Sequence, residues 1–424
     1  MPAEIDADHI IDPSHYQQRG YPYETFRRLR REDPVHRCAP AGVAPFWAIT
    51  RHADICEISR SPERFSSATR PVIFVEGTGM VDPASAASQV RVLVNLDPPE
   101  HREHRHLASP WFKPRTIRRM EQRVAEVSRQ LLDALAQGGG ESECDFVAAV
   151  AAPAPLKMIA EMLGVPEQDE AVLLRLTNEL FGAQDAEFQR DQDDAQQTFM
   201  ATAAQIFGYF AQLFEERRRE PREDLLSVMA HQGRIRGEPV SVLDAVSLCF
   251  VVATAGHEAT RNAISGGLLA LIEHPGEWKR LRDDPRLLES AVDEIIRWTS
   301  PVVHFARTAN EDCELRGRRI AKGDTLAMFY PSANRDEEVF VAADAFRVDR
   351  APNPHLSFGI GEHFCLGTPL ARLEIRILFE QLLARLEAAE LAGPPERLRA
   401  SLVGGLKHLP IRYRLKSPAG HASR

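Results

Sequence analysis

The run from Ser241 to the breaker His274-Pro275-Gly276 constrains this chain more than any other stretch. It holds more than thirty residues with no proline. The Ser241 hydroxyl can accept a backbone N–H at a helix start, and Asp244 sits where the first turn favours negative charge. The first half is apolar nearly all round, so this helix has to cross an interior instead of lying on one. At its middle stands Ala255-Gly256-His257-Glu258-Ala259-Thr260. A carboxylate at that depth is costly unless it has a partner or a use.

An interior wide enough for such a helix needs a long chain, and 424 residues supply it. Other helical patterns agree. From Pro114, the residues Ile117, Met120, Val124, Val127, Leu131 and Leu135 recur at steps of three and four until Gly138-Gly139-Gly140. A stripe over 287–298 carries Leu288, Ala291 or Val292, and Ile295, with Glu294 and Arg297 one turn apart on another face. A last helix is expected from about 366 to 386. Short β signals at 46–50, 326–330 and 411–413 suit small peripheral sheets, and a long irregular stretch rich in Asn, Asp, Arg and Pro fills 331–358. The expectation is a mainly α fold: one α-rich domain over residues 1–424 with a minor β part.

Charge and cysteine usage narrow the setting. With 52 Lys+Arg against 61 Asp+Glu the net charge is -9, which argues against a nucleic-acid surface. The first thirty residues lack the basic-then-apolar order of a signal peptide. The longest apolar stretch, 245–256, is read as too short for a membrane. A cytoplasmic protein without a membrane anchor is expected. Six cysteines, Cys38, Cys56, Cys144, Cys249, Cys313 and Cys365, contain no C-x-x-C pair, so zinc and thioredoxin-like chemistry find no support. Most should be free thiols packed as small apolar groups.

Cys365 differs from the other five. It closes Phe358-Gly359-Ile360-Gly361-Glu362-His363-Phe364-Cys365-Leu366-Gly367. The glycines permit a tight turn and close approach to a flat ligand, and the cysteine lies near a helix start, where N–H groups favour a thiolate. From these residues alone it is a nucleophile, a metal ligand or a packed thiol.

The ten-residue pattern F-G-x-G-x-H-x-C-x-G resembles the heme-ligand loop of the cytochrome P-450 superfamily. Glu294-Ile295-Ile296-Arg297 resembles the family's E-x-x-R, and 255–260 resembles its oxygen-binding helix motif. Asp97-Pro98-Pro99-Glu100-His101 and Asn334-Arg335-Asp336 extend the likeness over nearly the whole chain. The resemblance implies heme b (iron protoporphyrin IX) with the Cys365 thiolate as axial ligand, a donor that favours O–O cleavage. By matching position it assigns the heme propionates to His101, Arg105, Arg307 and His363. It makes Glu294 and Arg297 a structural pair, locked by Arg350. His101 and His104 form an H-x-x-H spacing, but no third metal ligand is evident.

On the oxygen side the resemblance makes Glu258 the acid that relays protons, and it lets the helix open at Gly256. Most members have threonine where this chain has Ala259, with Thr260 about 100° further round the helix. A substrate hydroxyl or ordered water, a substitute such as Thr260 or His257, or partial uncoupling could answer for the missing hydroxyl; the first is favoured. The implied activity is a monooxygenase that puts one atom of O2 into an apolar small molecule, terpenoid or steroid-like first, polyketide-type next. Electrons are expected from a ferredoxin-type partner with a separate reductase, received by Lys113, Arg115, Arg118, Arg119 and Arg123. By resemblance the substrate lies among 70–94, 250–255 and 301–305, with Ile73, Phe74, Val251, Val252, Val302 and Phe305 as apolar walls. The alternatives are a peroxide-driven peroxygenase and a heme-binding sequestrant or sensor with little turnover.

Overall fold

The computed structural model describes residues 5–73, 91–137, 141–190 and 193–416. Phe74, most of the 70–94 wall and the 138–140 glycines lie outside the described residues. The fold is mainly α. The helices that position the site are α1 (Glu100–Ala108), α2 (Pro114–Ala136), α3 (Pro153–Leu163), α4 (Glu170–Phe181), α5 (Ala195–Arg219), α6 (Val242–Glu273), α7 (Leu288–Thr299) and α8 (Thr368–Arg385).

Helix α6 starts where the sequence signals it, with the Ser241 Oγ accepting the Asp244 N–H at 3.1 Å, and it ends at His274. By length and composition it could cross a membrane, which corrects the expectation of a stretch too short to do so. In this fold it is packed among α3, α5, α7 and α8. Its first half joins one apolar cluster with α2, α3 and α5, and its second half joins another with α7 and α8. Neighbours around most of its circumference explain the apolar pattern, with part of one face left accessible.

One mixed sheet takes β1 (Val35–Cys38), β2 (Phe46–Ile49), β3 (Phe65–Ser66), β4 (His304–Ala309) and β5 (Thr325–Phe329) in the order β1-β2-β5-β4-β3. Only β2 and β5 run parallel. Strand β5 is buried throughout, so the sheet reaches further inside than peripheral strands would. Register sets its use: residues alternate faces along β4, which puts Phe305 and Arg307 on one side and His304, Ala306 and Thr308 on the other. A second sheet joins Leu386–Leu391, Pro410–Leu415 and Glu141–Asp145.

Candidate functional site

The cysteine loop is held by its backbone. Gly359 and Gly361 adopt φ +66° and +78°, the left-handed region that glycine enters without steric cost. A Cβ on Gly361 would lie 2.3 Å from the Ser59 carbonyl oxygen, so that position has no room for another residue. The Cys365 N–H donates to Phe358 O at 2.9 Å, and Thr368 Oγ1 donates to Cys365 O at 2.9 Å. Helix α8 begins at Thr368, later than the sequence pattern implies, and Cys365 precedes it. Burial pushes the thiol up, while N–H groups of Gly367 and Thr368, the Thr368 hydroxyl and the Arg105 charge pull it down. Burial wins in the protein alone, so the helix end does not by itself ionise the sulfur; a cation bound there would.

Behind the loop lies a buried lattice centred on Glu294. Both of its oxygens accept from Arg297, Nε at 2.7 Å and Nη2 at 2.8 Å. Arg350 Nε adds a bond at 2.9 Å, and the Arg347 N–H another at 2.8 Å. Arg297 spends its other donors on the carbonyls of Asn334, Ala343 and Ala345. Arg350 takes the role the resemblance implies. Sequence reasoning noted Asn334 without a role. Its amide donates to Ser300 Oγ and Ser357 Oγ at 2.8 Å each and accepts the Leu356 N–H at 2.7 Å, tying α7 to the start of the cysteine loop.

The four residues matched to propionates converge. The His101 and His363 rings are 4.1 Å apart, and the charges of Arg105 and Arg307 both act on each ring. Burial, with those cations, pushes His363 down to about 2. Among the described residues the Arg105 guanidinium makes no hydrogen bond or ion pair, while the Arg105 carbonyl accepts from Ser109 Oγ at 2.7 Å. Among the described residues the Arg307 guanidinium donates only to Ala306 O, and the residue is buried. His101 is 1 % exposed with its Nδ1 unsatisfied, since Glu362 Oε1 at 3.5 Å is too far for a good hydrogen bond and is taken by Arg102 at 2.7 Å. His101 and Arg307 are buried and Arg105 and His363 half-buried. His363 Nε2 already bonds Ser67 Oγ at 3.0 Å, but the two guanidiniums and His101 Nδ1 stand beside a cysteine short of acceptors and fit a guest carrying carboxylates. His104 instead bonds Asp244 at 3.1 Å, which disposes of the H-x-x-H pair.

Along α6, Val251, Ala255 and Ala259 recur at four-residue steps and stay accessible in an otherwise buried stretch. The helix does not open at Gly256 as expected; it is continuous. A Cβ there would sit 2.6 Å from Ile159 Cδ1, so the glycine lets α3 pack close. Thr260 Oγ1 donates back to Gly256 O at 3.3 Å, and His257 bonds Thr177 Oγ1 at 3.2 Å and Ala152 O at 3.1 Å. Neither replaces a hydroxyl at Ala259. Glu258 is paired with Arg261, accepts from Asn262 at 3.4 Å and leaves Oε2 without a partner; burial pushes its carboxyl up. Asn178 of α4 accepts from Arg261 at 2.8 Å. Sequence reasoning missed Arg261 and Asn178; the i, i+3 spacing of Glu258 and Arg261 was the available signal.

The family model described as cytochrome P-450 matches residues 73–414. The chain belongs to the cytochrome P-450 family. Cytochrome P-450-terp of Pseudomonas sp is 36% identical over 95% of this chain and 96% of the relative. Linalool 8-monooxygenase of Pseudomonas putida is 37% identical over 95% and 98%. Among solved structures, a cytochrome P-450 from Novosphingobium aromaticivorans superposes with a TM-score of 0.85 at 36% identity, covering 96% of this chain and 97% of the other. A Mycobacterium marinum cytochrome P-450 in complex with pseudoionone gives 0.87 at 30%, covering 96% and 99%.

The protein is therefore a cytochrome P-450 monooxygenase, and its cofactor is the family's cysteine-ligated heme. The cluster of Cys365 with His101, Arg105, Arg307 and His363 fits a ring that carries iron at its centre and two carboxylates at its rim. On the outer surface Lys113, Arg115, Arg118 and Arg119 are exposed, and among the described residues none makes an ion pair. Arg123 leaves this cluster: Glu161 and Glu126 hold it at 2.7 and 3.0 Å.

Proposed function

We propose that this cytochrome P-450, as one heme-thiolate domain over 1–424, hydroxylates an apolar terpenoid or steroid-like molecule in the cytoplasm, with electrons from a ferredoxin-type protein and its separate reductase. The observation that carries the site assignment is the convergence near Cys365 of His101 Nδ1 and the Arg105 and Arg307 guanidiniums, which have no carboxylate hydrogen-bond partner among the described residues. Cys365 supplies the sulfur ligand. His101, Arg105, Arg307 and His363 hold the propionates, which supplies the missing acceptor for His101 Nδ1. When bound, the heme supplies the oxygen activation and the electron transfer that no side chain performs.

The chain's own residues bind, orient and deliver protons. Val251, Ala255 and Ala259 offer an apolar face without a polar atom, suited to a hydrocarbon skeleton. Glu258 moves a proton through its unpartnered Oε2, and Arg261 holds the other oxygen in place. With alanine at 259 and Thr260 bonded to the backbone, a hydroxyl on the substrate or an ordered water takes the donor's place. The exposed cations Lys113, Arg115, Arg118 and Arg119 receive an acidic donor protein. The substrate class is supported by relatives named for linalool and for steroid C26 oxidation and by the pseudoionone complex.

The test is a screen of terpenoids, steroids and fatty acids for displacement of water from the heme, read as a spin-state shift in absorption, followed by product analysis with a ferredoxin and reductase. Terpene alcohols or steroids are expected to shift the spectrum and yield hydroxylated product. Response to fatty acids alone would reject the substrate class. The reduced carbon-monoxide complex is expected to show a thiolate-type Soret band that Cys365→Ser abolishes; persistence of that band in the variant would reject the ligand.

A further inference from the structure

Three backbone segments meet at one buried side chain, His304. It lies on β4 on the face opposite Phe305 and Arg307 and is 1 % exposed. The Ile73 N–H points at its Nε2 at 3.1 Å, and its Nδ1 lies 3.2 Å from Ser401 O. A backbone N–H only donates and a carbonyl only accepts. The ring is therefore neutral, with its proton on Nδ1 and a lone pair on Nε2. Burial, which pushes this imidazole down to about 4, keeps it neutral throughout the physiological range.

What His304 holds is the border of the substrate side. Ile73 belongs to the wall that the family resemblance gives to the substrate, and its segment is tied to β4 again where Ala306 N donates to Pro71 O at 2.6 Å. The 401–405 turn is laid along the start of β4 by Val303 N to Leu402 O and Gly404 N to Pro301 O, each 2.8 Å. From there it reaches α6: a Cβ on Gly405 would fall 2.1 Å from Asn262 Cγ, and Asn262 donates to Glu258. On its other face β4 presents Arg307 to the propionate donors. One imidazole thus sets the spacing between the strand that carries Arg307, the 70–73 segment and the turn that backs the acid on α6.

We propose that His304 is a positioning residue that fixes the 70–73 and 401–405 segments against β4 and so sets substrate affinity, leaving heme binding to other groups. It rests on the substrate side assigned above. Its two ties are separable by substitution. Leu removes both. Asn keeps a donor where Nδ1 was and preserves the Ser401 bond, whereas Gln keeps an acceptor where Nε2 was and preserves the Ile73 bond.

The experiment uses the heme-loaded full chain and its His304→Leu, His304→Asn and His304→Gln variants. Linalool dissociation constants are read from heme absorption, heme content from the reduced carbon-monoxide spectrum, and backbone order from hydrogen exchange followed by mass spectrometry. His304→Leu is expected to weaken linalool about tenfold, the loss of two buried hydrogen bonds, with heme content unchanged. Exchange should rise at both 70–73 and 401–405 in Leu, at 70–73 alone in Asn, and at 401–405 alone in Gln. Unchanged affinity and exchange in Leu, or heme lost in step with affinity in all three variants, would overturn the proposal. If His304→Leu does not fold, the opposite exchange patterns of Asn and Gln still decide it. If linalool gives no response even in the unsubstituted protein, the assigned substrate class fails while the exchange patterns continue to judge His304.

Discussion

Around Cys365, polar groups tie each turn of backbone: Glu294 to Arg297, Arg350 and Arg347, Asn334 to Ser300, Ser357 and Leu356, and Cys365 to Phe358. Along the open face of α6, Val251, Ala255 and Ala259 carry no polar side-chain atom at all. The cysteine side is built to hold one geometry, since a ligand bond and two carboxylates require fixed donors. The helix side is built to accept an apolar guest, and there only Glu258 and its partners are specified. Rigidity is placed where chemistry is invariant and smooth apolar surface where shape decides.

The largest expected effect breaks the rigid side. Glu294→Gln leaves Arg297 and Arg350 buried without their carboxylate, a loss of about 3–5 kcal/mol. Thermal unfolding and heme content together should fall. A variant that keeps both would show that the lattice does not hold the loop. On the helix side Glu258→Gln should leave heme content intact and slow turnover roughly 10²-fold, with a larger solvent isotope effect. Equal loss of heme in this variant would erase the distinction between the two sides.

Acid should separate them next. His257 is pushed down to about 3 by burial and by the Arg261 charge. Its folded value lies below the free value of 6.5, so protonation favours the unfolded chain. Its contribution is fully present above about pH 6.5 and is lost as pH falls toward 3, at about 1.4 kcal/mol per pH unit. His257→Asn should flatten the fall of melting temperature over that range; an unaltered slope would place the acid lability elsewhere. The smallest effect concerns Ala259→Thr. On substrates without a hydroxyl it should lower peroxide released per electron by about threefold, the worth of one hydrogen bond. An unchanged ratio would mean that no donor is missing at that position.

Legibility followed the same division. The Cys365 loop, the E-x-x-R pair and Arg350 could be read because each needs particular residue types at short or repeated spacings. Asn334 could be seen but not interpreted, because its partners Ser300, Ser357 and Leu356 are brought together only by folding. Gly256 was misread: its small size serves the approach of Ile159 from α3, a neighbour about a hundred positions away. Arg123 was grouped with free cations because Glu161, on another helix, cannot be seen from a local pattern.

The amino-acid sequence by itself determined the class of fold, the cysteine loop and the absence of a hydroxyl at 259, since these depend on residue identity and local period. Only the tertiary structure decided that His101, Arg105, Arg307 and His363 converge beside Cys365, that Arg261 pairs with Glu258, and that His304 joins 73, 304 and 401. Those facts depend on which groups meet after water is excluded. Burial then turns a modest hydrogen bond or charge into a strong demand for a partner.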